Sequence, residues 1–382
     1  MRKWRQIIAC CLTAVLTASG PAAIAWAGSP EFARLPEEWA GLRDNVMEYE
    51  ELGDLICEYN VTVQKNQLDI NDKKKDDRIT SDQYAQYYRD AASDYRSAIT
   101  GDDPLADAQN AAGAGSADAQ ADKNAEDLTV YQLTYDQEEA NLVAAAQSSM
   151  ISYFKQVYEL ESARSMLEFQ QAVYQSVLAR QSAGMATQID VYAAQESIQN
   201  TSASMEKLGA SIEETRQKLC IMLGWNYNDA PEIKNIPAVD TEHIASMNPE
   251  RDKAAALQNN YTLKINQRKL ENAAADITKN MLKRTISSNE QNISSDLVKG
   301  YQAVLQAKAV WEQAVAEYDL EIKNMDAAGR KHQIGMISQL DYQKQKKAYT
   351  TKLIAVKTAE LGLFQAVQTY DNGVNGLAFT GG

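Results

Sequence analysis

Gly184-Met185-Ala186-Thr187-Gln188-Ile189-Asp190 and Gly335-Met336-Ile337-Ser338-Gln339-Leu340-Asp341 are two copies of one pattern, and each stops one helix and starts the next. Gly184 and Gly335 lack a Cβ and can take the left-handed conformation that closes a helix C-terminus. Three residues on, Thr187 and Ser338 are good N-caps. Asp190 and Asp341 stand at the third position after each cap. There a carboxylate can reach back to the cap's own N–H, and it meets the positive end of the helix. A turn this short forces the flanking helices to be antiparallel neighbours, so the chain carries two α-hairpin tips.

The duplication extends beyond the tips. Asn60-Val61-Thr62-Val63-Gln64-Lys65-Asn66-Gln67 matches Asn260-Tyr261-Thr262-Leu263-Lys264-Ile265-Asn266-Gln267 at an offset of 200, whereas the tips are offset by 151. The first repeat therefore holds 49 extra residues between these landmarks. Two landmarks in one order, given twice, describe two structural repeats.

Helical periodicity dominates both. Residues 45–77 predict a helix with Leu52, Leu55, Ile56, Tyr59 and Val63 on one face, ending in the solvated run Asp72–Asp77. Tyr84, Tyr87, Tyr88 and Tyr95 follow at helical spacing. Such a stripe stacks on an aromatic ligand or, as is commoner, packs against a neighbouring helix. Residues 100–127, rich in Ala, Gly, Asp and Gln, predict a mobile loop. From Leu128 to Ala183 one pattern runs without Pro or Gly; at 1.5 Å per residue it spans on the order of 80 Å, which implies a bundle or coiled coil. Ala194, Ile198, Thr201, Met205, Leu208, Ile212, Thr215, Leu219 and Met222 then step by four and three, the period of a supercoiling seam. In the second repeat a helix is predicted over 250–284, a bend at the polar stretch Thr285–Ser295, and a helix on to Ile334. That helix carries a second seam through Tyr301, Val304, Lys308, Trp311, Val315, Tyr318, Ile322 and Met325. The last helix runs from Gln339 to about Tyr370.

A first helix opening near Asn, a long second helix, a Gly-x-x-Ser/Thr-x-x-Asp turn and a closing helix ending in Leu-Gly, all given twice, resembles the TolC family of outer-membrane efflux proteins. The first Leu-Gly is Leu223-Gly224; its counterpart is Gly373 or Gly376. The resemblance implies an all-α wall of long antiparallel helical hairpins. It further implies homo-oligomerisation as a trimeric tube, and tips that meet a membrane-fusion adaptor protein fed by an inner-membrane pump. Carried over to this chain, that contact falls on Gly184, Thr187, Asp190, Gly335, Ser338 and Asp341, residues that capping alone also explains. The family's tubes narrow through acidic side chains near the tips, but here Asp341 is followed by Lys344, Lys346 and Lys347.

The family also inserts two membrane-crossing β-strands in each repeat. Such a strand needs roughly ten alternating residues with an apolar face. Neither Thr285–Ser295 nor the extra segment of the first repeat alternates, so no β-barrel is expected.

The expected organisation is a signal peptide at 1–27 and an N-terminal tether at 28–44. Repeat 1 covers 45–224, a linker 225–247, repeat 2 248–376, and a flexible C-terminus 377–382. Arg2, Lys3 and Arg5, an apolar run from Ile7 and Ala25-Trp26-Ala27 compose the signal. Its removal takes the net charge from −14 to −17, which repels nucleic acid and gives no footing on anionic lipid. Cys57 and Cys220 are a conceivable bridge or, more simply, two small buried residues. His243 and His332 are the two histidines, and neither has a Cys or carboxylate at metal-ligand spacing. No phosphate-cradling loop, nucleophile elbow or catalytic carboxylate pair is present in the sequence, so no enzyme, cofactor or metal is expected. Two functions compete. One is an efflux conduit of the cell envelope, in an outer membrane by resemblance or wall-associated or periplasmic without strands. The other is an exported coiled-coil scaffold or spacer.

Overall fold

The computed structural model describes Ser29 and residues 31–378. The expected signal at 1–27 and residues 379–382 lie outside them. After a 3-10 turn, Glu31–Ala33, the elements run α1 (Pro36–Leu42), β1 (Val46–Met47), α2 (Leu52–Tyr59), α3 (Val61–Lys75), α4 (Ser81–Ser97), α5 (Pro104–Lys123), α6 (Leu128–Ser182) and α7 (Gln188–Met222). The second half gives β2 (Glu232–Ile233), α8 (Thr241–Ser246), α9 (Pro249–Asn259), α10 (Tyr261–Asn272), α11 (Asp276–Gln333) and α12 (Gln339–Asn372). A π-type turn, Gly373–Leu377, closes the series. Among the described residues the sheet is one parallel pair, Val46 with Glu232 and Met47 with Ile233, which ties the start of the chain to the link between repeats. The fold is all-α, and its described residues contain no closed barrel.

The long helices pack as a single layer in the order α7–α6–α12–α11. Each hairpin seam is only half-buried, so polar pairs share it with apolar ones. Thr201 donates to Gln170 (2.7 Å) and Thr215 to Gln156 (3.1 Å) across α6–α7, and Tyr318 and Tyr349 share a 2.7 Å bond across α11–α12. Between the hairpins, Lys346 meets Glu168 (2.8 Å), Lys357 meets Glu161 (3.4 Å) and Lys155 donates to Gln365 (2.7 Å). The two ion pairs are largely solvent-facing and worth at most about 1 kcal/mol each. Their use is to set register: they descend α6 as they climb α12, so the two hairpins run side by side and both tips lie at one end.

Apolar burial is concentrated away from the tips, in two cores. Met47, Leu52, Ile56, Met150 and Leu219 are fully buried in the first, and Leu263, Ile293, Val304, Leu363 and Tyr370 are buried in the second. Burying one such side chain stabilises by roughly 1.5–3 kcal/mol.

Both cores are closed by the same device. Asn60 and Asn260 break the incoming helix and cap the next, Asn60 accepting from Thr62 and Val63 N–H and Asn260 from Leu263 N–H. Each then donates across to the end of its repeat, Asn60 to the Met222 carbonyl and Asn260 to those of Gly376 and Ala378. Gly224 (φ +90°) and Gly376 (φ +123°) lie against these breaks. Of the two candidates for the second Leu-Gly position, Gly376 is thus the structural counterpart.

Five sequence-based expectations need correction. The helix expected over 45–77 starts only at Leu52, after β1, and is broken at Asn60 into α2 and α3. Residues 104–123 are the helix α5 and not a mobile loop. Asp103 caps it and Pro104 opens it, and its Ala114, Ala117 and Ala121 are small enough to bury against α4. The 28–44 tether is packed: α1 buries Trp39 and Leu42, and Arg34 pairs with the buried Glu58 at 3.0 Å. The bend at Thr285–Ser295 does not form. Packing of Asn289, Ile293 and Leu297 overrides the weak helix propensity of a Ser/Asn-rich stretch, and the breaks fall instead at Asn260 and at 273–275. Lys73, placed on a solvated surface, is buried over the Tyr131 ring (4.5 Å) and paired with Asp69.

Cys57 and Cys220 are both free. Burial pushes the Cys57 thiol up to about 11 and raises that of Cys220 as well, which disfavours the reactive thiolate. Native chain is therefore expected to react with iodoacetamide at both sites far more slowly than urea-unfolded chain at pH 8. Equal rates would show that the core around them opens readily.

Candidate docking tips

The tips are built entirely from local interactions. At the first, Gly184 (φ +73°) donates to Gln181 O (2.9 Å) and Met185 N–H to Arg180 O (2.8 Å). At the second, Gly335 (φ +72°) donates to His332 O (3.0 Å) and Met336 N–H to Lys331 O (2.8 Å). Both are Schellman closures. The capping boxes follow. Asp190 N–H donates to Thr187 Oγ1 (3.2 Å), and its carboxylate accepts from Thr187 N–H (2.7 Å) and from the hydroxyl (2.8 Å). Ser338 and Asp341 repeat this at 3.1, 3.4 and 2.7 Å. The six sequence-selected residues thus fall into two equivalent trios at the same end of the layer.

Hydrogen bonds from Thr187, the backbone N–H foremost, hold the Asp190 carboxyl below the usual aspartate range. A group depressed in this way favours the folded tip at neutral pH, and that contribution is lost as pH falls through its folded value. A carbon-detected titration is expected to show Asp190 ionising at lower pH than in the urea-unfolded chain; coincident curves would mean that the box does not persist in solution.

The geometry also exposes residues that capping rules do not single out. Ile189 is 77 % exposed, Met336 68 % and Met185 66 %, with Tyr192 and Ile334 similarly bare. Thioether and isoleucine side chains at a loop end have no structural partner here, and such exposed apolar residues are typical of a surface that binds protein. Only their position beside the turn glycines could have flagged them in the sequence. Behind the second tip, His332 stacks on Tyr342 (centroids 4.7 Å, 14°).

Lys346 pairs with Glu168 and Lys347 lies over the Phe169 ring at 5.3 Å, both on the α6–α12 seam. His243 bonds Asp371 at 3.0 Å, far from the tips in the chain. No group of three or more His, Cys, Asp or Glu among the described residues could hold a metal ion. No described helix is long and apolar enough to cross a membrane.

At the layer's edges, α7 and α11 do not pack against each other. On the face away from the second core and beyond it, α11 turns Leu305, Val310 and Leu320 to solvent. A layer of four helices with two open edges and both hairpin tips at one end has counterparts among solved structures. The outer-membrane channel OprN superposes with a TM-score of 0.54 at 13 % identity, over 94 % of this chain and 99 % of that one. The CmeC outer-membrane channel of Campylobacter jejuni gives 0.52 at 9 % identity, over 88 % and 87 %. A membrane protein of Pseudomonas aeruginosa gives 0.52 at 11 %, over 84 % and 90 %.

This is the fold of the TolC-family channels. At these identities the likeness is one of fold. No family model matches the sequence, and no curated protein does. In this chain the helical hairpin α4–α5 joins α3 to α6, and three alanines join α10 to α11.

Proposed function

We propose that this chain is a non-enzymatic efflux or export component of the cell envelope. Copies of it, three by resemblance, close edge to edge into a helical tube whose tips dock the adaptor of a pump. The observation that carries the reading is the open layer α7–α6–α12–α11: its two edge helices do not close on each other, α11 meeting, besides α12, the short helices α9 and α10 around the second core, and a ring of copies supplies each edge with a neighbour. The tip trios Gly184, Thr187, Asp190 and Gly335, Ser338, Asp341 form the rim of that tube, with Met185, Ile189 and Met336 as its apolar contacts. A second reading, an exported spacer that conducts nothing, draws support from the sheet content of the described residues, which is a single two-residue pair.

The mass of the purified chain in solution separates the two. A conduit gives a closed oligomer of fixed size; a monomer or dimer at all concentrations favours the spacer. Docking is tested by Asp190→Asn with Asp341→Asn beside Met185→Ser with Met336→Ser. Both pairs are expected to leave the melting temperature within a few degrees and to weaken binding of the adaptor at least about tenfold, a change of roughly 1.4 kcal/mol. Unaltered binding by both would leave the tips as helix caps.

A further inference from the structure

The α4–α5 hairpin is an arm. It touches the rest of its own chain mainly at the base, where Leu128 N–H donates to Ile79 O (3.1 Å) and Tyr84 stacks on Tyr131 (5.3 Å). It stands between α3 and the start of α6, at the end of the layer opposite the tips. Arg89–Asp122 and Arg96–Asp118 tie its two helices together. Asp90 and Asp94 are left without a cation among the described residues, and with Tyr87 they lie on one exposed face of α4, at spacings of three and seven. At the arm's far turn Leu105 is 71 % exposed and Ile99 is exposed too.

In the second repeat no arm stands at the corresponding place, and the first turns of α11 are bare. Ile277 is 73 % and Met281 65 % exposed, and Arg284, next on the same face, meets no carboxylate among the described residues. The chain's own arm does not cover this face. It approaches α11 through Tyr88, Gln120 and Lys123, across a cleft of about 520 Å³ whose other wall is Thr278 and Leu282. Those positions lie one residue, hence about 100° around the helix, from Ile277 and Met281. One chain thus presents an acidic surface with Tyr87, Ile99 and Leu105 and, separately, a basic apolar face on α11. Two different complementary patches that cannot meet within one chain make a head-to-tail contact between copies, the type that closes a ring.

We infer that in the assembled protein the arm of one copy seats on the Ile277–Met281–Arg284 face of the next, interlocking the ring at the end opposite the tips. This rests on the ring proposed above. The arm's aspartates meet Arg284, and its apolar residues cover Ile277 and Met281.

The test is a charge swap read by sedimentation velocity on the full chain in about 0.15 M salt, with circular dichroism as the control for folding. The wild-type chain is expected to sediment as a closed oligomer. Arg284→Glu with Met281→Asp is expected to raise the concentration for half-assembly at least about tenfold, because it sets like charges together and removes apolar contact. Arg284→Glu alone is expected to weaken assembly in the same direction, and combining it in the same chain with Asp90→Lys and Asp94→Lys, so that every junction is charge-swapped, is expected to restore assembly to within about threefold of wild type. A wild-type chain that stays monomeric would overturn the ring itself. A wild-type ring left intact by the α11 variant, or no rescue by the swapped arm, would overturn the arm contact and leave the ring standing.

Discussion

Replacing Gly224 by alanine is expected to destabilise the chain by about 2–5 kcal/mol, whereas the same change at Gly184 costs about 1–2 kcal/mol. Both glycines have positive φ, +90° and +73°, so both substitutions incur the left-handed backbone penalty. They differ in surroundings. A Cβ on Gly184 would meet nothing within 4 Å, whereas one on Gly224 would lie 2.4 Å from the Tyr59 Cβ and 3.5 Å from its Cα. The Tyr59 backbone is held by the cap at Asn60 and cannot withdraw without opening the first core. Thermal and denaturant melts of the two variants make the comparison. Equal losses would show that the approach of Gly224 to Tyr59 carries no weight. Gly376 provides a replicate, since its Cβ would sit 2.8 Å from the Asn259 carbonyl oxygen.

Asn260→Leu is expected to cost about 2–4 kcal/mol, combining a lost N-cap with buried carbonyls left without a donor. Asn260 is fully buried. Its carboxamide oxygen accepts from Leu263 N–H at 2.9 Å, and its nitrogen serves the carbonyls of Gly376 and Ala378. Leucine fills a similar volume but satisfies none of these groups. Asn260→Asp separates the contributions, because it keeps the acceptor for the cap and loses the donor to the chain end. Hydrogen exchange should therefore show the Leu263 amide protected in the Asp variant and not in the Leu variant, with the C-terminal turn loosened in both. A loss below about 0.5 kcal/mol for Asn260→Leu would mean that water reaches these carbonyls and replaces the side chain.

Much of this was legible along the chain because the relevant interactions are local. The Schellman closures at Gly184 and Gly335 and the boxes at Thr187–Asp190 and Ser338–Asp341 join residues within six positions of each other. The period of α6, α7 and α12 is a property of single helices, and their ends fall where the caps stand. The matched Asn60 and Asn260 were visible as a repeat, but not as clasps on Met222 and Gly376, because those partners lie more than a hundred residues away.

What failed did so where composition was used in place of packing. Ala111-Ala112-Gly113-Ala114-Gly115 was too poor in large apolar groups to predict a core, yet small residues let α5 lie close against α4, with Gly113 under the Tyr95 ring. Thr285–Ser295 looked polar enough to bend, but its buried face is made by Asn289 and Ile293 and its hydroxyls back-bond within the helix, Ser294 to Glu290 O and Thr285 to Met281 O.

By itself, then, the sequence determined that the protein is helical, duplicated and folded back at two tips, since capping chemistry and a 3.6-residue period act over a few residues and need no distant partner. Tertiary structure alone decided that the hairpins lie side by side as an open layer, that an arm stands at one end in place of a loop, and that α11 begins bare. Those features depend on which faces find a partner after the chain has doubled back, and burial of an apolar face is a sum over contacts from the whole fold.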